Sequence, residues 1–223
     1  MSTLRGGRLD PVFGTPADTR AWYDRASRLY ALLVEDLEFP PTRRAIDLLD
    51  IQDDDRVLDV GCGAGRAVVE IAQELGVEGQ VLGIDFAPGM CRETRRAISQ
   101  AGVGDRAGIV CGDGTVLPVP ESTVDAIISS FVLDLLSPAD IEAAVTEMAR
   151  AVRPDGRIAV VSLADSDALT TRLYRGLRNL FPTQLDCRPI PVDASLEAGG
   201  LSVVHDERYS LHGLPVSIAI ARP

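Results

Sequence analysis

The chain of 223 residues contains no lysine. Its 22 basic residues are all arginine, set against 33 acids of which 22 are aspartate, and the net charge is −11. A surface short of positive charge disfavours nucleic acid as a partner, because phosphate binding needs a basic face. A GC-rich genome replaces lysine by arginine. A high-salt cytoplasm selects an acidic surface that stays soluble while salt screens its self-repulsion, and the aspartate excess favours that second explanation. Histidine is nearly absent, with only His205 and His212. Cys62, Cys91, Cys111 and Cys187 are far apart with no C-x-x-C pair. A zinc site, any other metal site and a disulfide framework are therefore not expected, and the cysteines read as small buried residues. No apolar run reaches the length of a membrane span. The polar, Gly/Arg-rich stretch from Met1 to Asp10 lacks the apolar centre of a signal peptide, so the expected compartment is the cytoplasm. Internal repeats and low-complexity tracts are missing too.

An apolar content of 46% supports one globular domain with a full core. Residues 1–14 are expected to be mobile. From Thr15 to about Glu38, Trp22, Ala26, Leu29, Leu33 and Leu37 recur at helical spacing. Pro40-Pro41 is expected to break that helix and start a second one carrying Ala45, Ile46, Leu48 and Leu49. After Arg56, strands at 56–60, 80–85, 108–111, 124–130 and 157–163 alternate with helices at 64–75, 88–101, 138–152 and about 166–181. A short helix at 192–198 and a hairpin of strands 201–209 and 215–221 close the chain. Runs such as Ala126-Ile127-Ile128 indicate strands buried on both faces. The expected fold is α/β: a doubly wound, Rossmann-like sheet of seven strands, mostly parallel with one antiparallel strand near the C-terminus, plus an N-terminal helical lid. The division is a lid at 15–50, a ligand-binding core at 51–165, and an acceptor-side helix with the closing hairpin at 166–223.

Chemistry concentrates at the strand ends, where doubly wound sheets bind ligands. Val57-Leu58-Asp59-Val60 runs into Gly61-Cys62-Gly63-Ala64-Gly65-Arg66. Glycines there let a ligand lie against bare backbone at a helix N-terminus. The dinucleotide fingerprint would need Gly or Ala where Arg66 stands, which argues against a nicotinamide and for another adenosine-containing ligand. Asp85 ends the second strand about twenty positions on, where an acid accepts ribose hydroxyls. Phe86 and Met90 would sandwich an adenine ring, and Asp113 would accept its amino group. Ser129, Ser130 and Phe131 would line the reacting centre.

Val57–Arg66, Gly83–Met90, Val110–Pro120, Val124–Leu136 and Arg153–Arg157 resemble the ordered motifs of class I S-adenosylmethionine-dependent methyltransferases, over roughly residues 50–165. The resemblance implies S-adenosylmethionine as cofactor. Gly61, Gly63 and Gly65 would approach its methionine part, with Asp59 or Arg66 near its charged groups and Cys62 among the cofactor-binding residues. Asp85 would hold the ribose, while Phe86, Met90, Asp113 and Gly114 would surround the adenine, with Ser130 and Tyr23 completing the set. Trp22–Arg25, Phe131–Leu136, Phe181-Pro182, Asp186–Ile190 and Gly213–Val216 resemble the ubiquinone/menaquinone-biosynthesis methyltransferases.

The expected acceptor is a small molecule, a quinone-like carbon or a phenol, with Phe131, Arg188 and His212 on its side. Methyl transfer rests mainly on positioning. Candidates for a general base are Asp134, Asp186, His205 and His212, with Asp134 first because its apolar surroundings would raise its pKa. Tyr23 and Tyr30 share a helical face and would close over the methionine part. Helix 169–181 pairs Leu169, Leu173, Leu177 and Leu180 with Arg172, Arg175 and Arg178, a basic amphipathic segment suited to a weak peripheral membrane contact. A non-catalytic S-adenosylmethionine-binding protein and a nicotinamide oxidoreductase are the alternatives. Oligomeric state is not legible.

Overall fold

The structure is a computed structural model that describes residues 35–164, 188–211 and 213–223. The mobile-tail and lid expectations for 1–34, the helix at 166–181, Tyr23, Tyr30, Asp186, Cys187 and His212 lie outside the described residues. The elements in chain order are α1 (Glu35–Leu49), β1 (Arg56–Val60), α2 (Arg66–Glu74), β2 (Gln80–Asp85), α3 (Pro88–Ala101), β3 (Ala107–Cys111) and β4 (Val124–Ser130). They continue with a 3-10 turn (Leu133–Leu135), α4 (Pro138–Ala151), β5 (Val152–Leu163), α5 (Val192–Ala198), β6 (Ser202–Leu211) and β7 (Leu214–Arg222).

The strands form one sheet of order β3-β2-β1-β4-β5-β7-β6. The first five strands in that order pair in parallel, and β7 runs antiparallel to both β5 and β6. The order reverses between β1 and β4, which opens a crevice at their carboxyl ends. The two-residue period of a strand sorts its side chains onto opposite faces. Val57, Ala126, Ile128, Ala159 and Val161 join Ile46 of α1 and Val68 and Ile71 of α2 on one face. Leu58, Val60, Ile127, Ile158 and Val160 meet Val145 and Met148 of α4 and Leu196 of α5 on the other. Both faces are covered, so the central strands read as unbroken apolar runs.

Two expectations are corrected. Helix α1 runs through Pro40 and Pro41 instead of restarting there. The prolines remove two amide donors from its ladder, yet tertiary contacts hold it. Ala45, Ile46 and Leu49 are buried, and Arg43 reaches across to Glu70 (2.6 Å) and Glu74 (2.5 Å) of α2. Strand β5 begins at Val152, directly after α4, with an irregular register against β4 between Val124 and Ala126. A side chain at Gly156 would collide there with Asp125 O, 2.8 Å from its Cβ. Among the described residues no helix is long and apolar enough to cross a membrane.

Candidate active site

The loop between β1 and α2 carries Gly61, Gly63 and Gly65 at φ of +78°, +56° and +91°, values that a Cβ makes costly. Gly61 N and Cys62 N both donate to Ile84 O, at 2.7 and 3.0 Å, which anchors the loop to the end of β2. Thr94 Oγ1 of α3 donates to Gly63 O at 2.7 Å. A side chain at Gly61 would overlap Val132, and one at Gly65 would come within 2.6 Å of Thr94 Cγ2. The loop is wedged between α3 and the segment after β4, so protein packing already requires glycine at 61 and 65, before any ligand is considered. Cys62 turns its thiol inward, 3.8 Å from Thr94 Oγ1, into room left by Gly83. Burial, then the nearby carboxylates of Asp59 and Asp85, push that thiol well above the ordinary range. Cys62 can therefore meet a ligand only through its backbone.

Asp85 is 7% exposed at the end of β2. Its carboxylate accepts from Gly63 N at 3.0 Å and Ala87 N at 2.8 Å, so it spans the glycine loop and the start of α3. Burial outweighs those two donors and lifts its pKa to about 6. Phe86 is half-buried beside it, packed with Leu135 against the buried pair Ala87 and Met90. Met90 is thus under Phe86 rather than open to solvent. Asp113 is exposed beyond β3 and folds its own loop by accepting from Thr115 N (2.9 Å) and Thr115 Oγ1 (2.8 Å). Gly114 lies close to β1, where a Cβ would sit 3.0 Å from Val60 Cγ1. Asp59 is buried within β1, under the loop. Arg66 opens α2 with its guanidinium 3.8 Å above the Phe39 ring of α1, a cation–π contact that ties the first helix to the glycine loop.

At the end of β4 the residues divide. Ser129 is buried and donates to Val60 O at 3.0 Å, a structural bond across the strand-order switch. Ser130 is half-buried next to it. Phe131 takes φ of +54°, rare for a bulky side chain, while its N–H donates to Val161 O at 2.8 Å. The residue is 6% exposed and belongs to the core under α1 and α2.

Asp134 is fully buried in the 3-10 turn and accepts from Leu163 N at 3.2 Å. Its main-chain oxygen accepts from Arg188 N, and the Arg188 guanidinium donates to Leu136 O. Through these contacts the two residues, expected as base and acceptor-binding group, tie the turn to the end of β5 and to residues 188–190. His205 stands exposed on the edge strand β6, 3.6 Å from Glu207, with β5 and β7 between it and β4.

Sequence reasoning missed Thr94, Phe39 and Val132. Each acts through a contact between elements distant in the chain, and none belongs to a local pattern. The four cysteines are not all buried either, since Cys111 is exposed at the end of β3.

Comparison with known proteins agrees with this geometry. The family described as "Methyltransferase domain" matches residues 57–156. Over these residues the chain is similar to that family. The chain is similar to nocamycin O-methyltransferase of Saccharothrix syringae, 34% identical over 61% of this chain and 48% of that protein. It is also similar to demethylmenaquinone methyltransferase of Beutenbergia cavernae, 32% identical over 67% of this chain and 59% of that protein. The chain thus spans about half to three-fifths of the length of these relatives. A SAM-dependent methyltransferase from Aquifex aeolicus shares the fold at a TM-score of 0.68 and 18% identity, covering 90% of this chain and 98% of that one.

Proposed function

We propose that this protein transfers a methyl group from S-adenosylmethionine to a small-molecule acceptor, a phenol or a quinone-like carbon. Asp85 carries the reading. A carboxylate that burial lifts to about 6 despite two N–H donors gains from any further donor, and ribose supplies two vicinal hydroxyls. It stands at the end of β2, one hydrogen bond from the glycine loop. The rest of the site fits the same group. Phe86 offers an aromatic face for adenine, and Asp113 Oδ2 has no donor among the described residues and would accept the adenine amino group. The N–H groups at the opening of α2 face the methionine part, with Arg66 beside them. Gly114 and Ser130 border the same crevice. When bound, the cofactor supplies a methyl group activated on sulfonium. The chain's own task is to hold the acceptor in line and exclude water. Residues 51–165 form the cofactor-binding core in this reading, and Phe131 stiffens the acceptor wall through its strained backbone.

The names of the relatives, nocamycin O-methyltransferase and demethylmenaquinone methyltransferase, support an oxygen or a quinone-like carbon as acceptor. The acidic, lysine-free composition supports function at high salt. Calorimetric titration of S-adenosylhomocysteine into wild type and Asp85→Ala tests the cofactor assignment. Micromolar binding that the substitution weakens supports it, and no binding by folded protein at low or molar KCl rejects it. Failure to form S-adenosylhomocysteine from S-adenosylmethionine with any phenol or quinol tried, despite binding, would favour the non-catalytic alternative.

A further inference from the structure

Two cysteines that the site does not use stand on the neighbouring carbonyls of Asp85 and Phe86, at the end of β2. Cys111 closes β3 as the parallel register partner of Asp85. Cys91 lies in the first turn of α3 and donates its thiol hydrogen to Asp85 O at 3.3 Å. Cys111 Sγ lies 3.8 Å from Phe86 O, as donor to the next carbonyl along. Cys111 is exposed and Cys91 is buried. One sulfur is open to a dissolved oxidant, and the other waits behind it on a different element.

We propose that Cys91 and Cys111 are a peroxide-sensitive dithiol whose closure to a disulfide restrains the Asp85-Phe86 segment. The Cys111 sulfur attacks one oxygen of hydrogen peroxide, the O–O bond breaks, and the departing hydroxide takes the thiol proton to leave as water. Cys111 is then a sulfenic acid. The Cys91 sulfur displaces that oxygen, the S–S bond forms, and a second water leaves with the Cys91 proton. Both thiols are oxidised and the peroxide is reduced to two waters. The division of labour follows from environment. Burial pushes the Cys91 thiol up to about 12, so the exposed Cys111 is the sulfur that meets peroxide, and Cys91 attacks the sulfenic sulfur as its proton passes to the leaving oxygen. Bond formation withdraws both thiols from the carbonyls of Asp85 and Phe86 and pins α3 to the end of β3. The effect on ligand binding rests on the assignment of Asp85 and Phe86 to the adenosyl group.

The experiment treats the reduced full-length protein with hydrogen peroxide, maps disulfides by peptide mass spectrometry, and titrates S-adenosylhomocysteine before oxidation, after it, and after dithiothreitol. The expected result is a single Cys91–Cys111 link that dithiothreitol reverses, about tenfold weaker affinity in the oxidised form, and no peroxide effect on the affinity of Cys111→Ser. Cys111 halted as a sulfinic or sulfonic acid, a link to Cys62 or Cys187 instead, or unchanged affinity after complete closure would each overturn the proposal. Reduced protein that binds no S-adenosylhomocysteine would overturn the proposed function and the ligand-binding half of this inference together. The peptide map judges the dithiol chemistry independently of that result.

Discussion

Asp85→Asn should make the ligand-free protein more stable while weakening its binding site. Asp85 is nine-tenths buried and its pKa stands at about 6 against an ordinary 3.8, a penalty of about 3 kcal/mol on the ionised form. The sign follows from proton counting. Between about pH 4 and pH 6 the native carboxyl holds a proton that the unfolded chain has lost, so stability falls as pH rises through that window, and the whole penalty is present above it. Asparagine removes the charge but keeps a single acceptor oxygen. Either Gly63 N or Ala87 N then loses its partner, at about 1–2 kcal/mol. The net gain is about 1–2 kcal/mol at pH 8, worth about 2–4 °C in Tm per kcal/mol for a chain of this size. At pH 5 the native carboxyl is already mostly protonated, about half the penalty is gone, and the variant and wild type should melt together. Thermal melts of both proteins at the two pH values, without ligand, give the comparison. A variant that melts below wild type at pH 8, or an advantage that does not change with pH, refutes the reasoning. In wild type the same titration should weaken S-adenosylhomocysteine binding as pH falls through about 6, because a protonated carboxyl is a poorer acceptor for ribose.

Gly61→Ala should cost about 3 kcal/mol or more in urea unfolding, because a left-handed residue gains a Cβ that overlaps Val132. Gly102→Ala, equally left-handed but with open space around it, should cost only about 1–2 kcal/mol, and equal losses would mean that packing does not decide the glycine loop. A double-mutant cycle of Phe39→Leu and Arg66→Gln should return a coupling of about 0.5–1 kcal/mol for the cation–π contact; a value near zero would detach α1 from the loop. Arg157→Ala removes the ion pair with Asp55 and bonds to Leu49 O and Asp50 O, and should cost about 3 kcal/mol because the Asp55 carboxylate stays buried without its partner. With a net charge of −11, the melting temperature should rise as KCl is added at fixed pH, and a flat response would remove the high-salt reading.

The strands were legible because burial on both faces writes itself as unbroken apolar runs, and β2 over Gln80–Asp85 falls where those runs place it. Helix α1 was not, because Pro40 and Pro41 outweigh everything local, while the contacts that hold it reach Glu70 and Glu74. Strand-end acids are visible as residue types, but their surroundings are not. Asp85 and Asp134 look alike in sequence; one bridges the glycine loop and α3, whereas the other bonds Leu163 N deep beneath the surface. The glycines themselves divide the information in an unexpected way. Val132 and Thr94 already forbid side chains at 61 and 65, so in this chain the pattern reports first how β1, α3 and the segment after β4 pack. Gly63 N is committed to Asp85, so the loop's shape and the carboxylate's position are set by one hydrogen bond, and a change at either residue should move both.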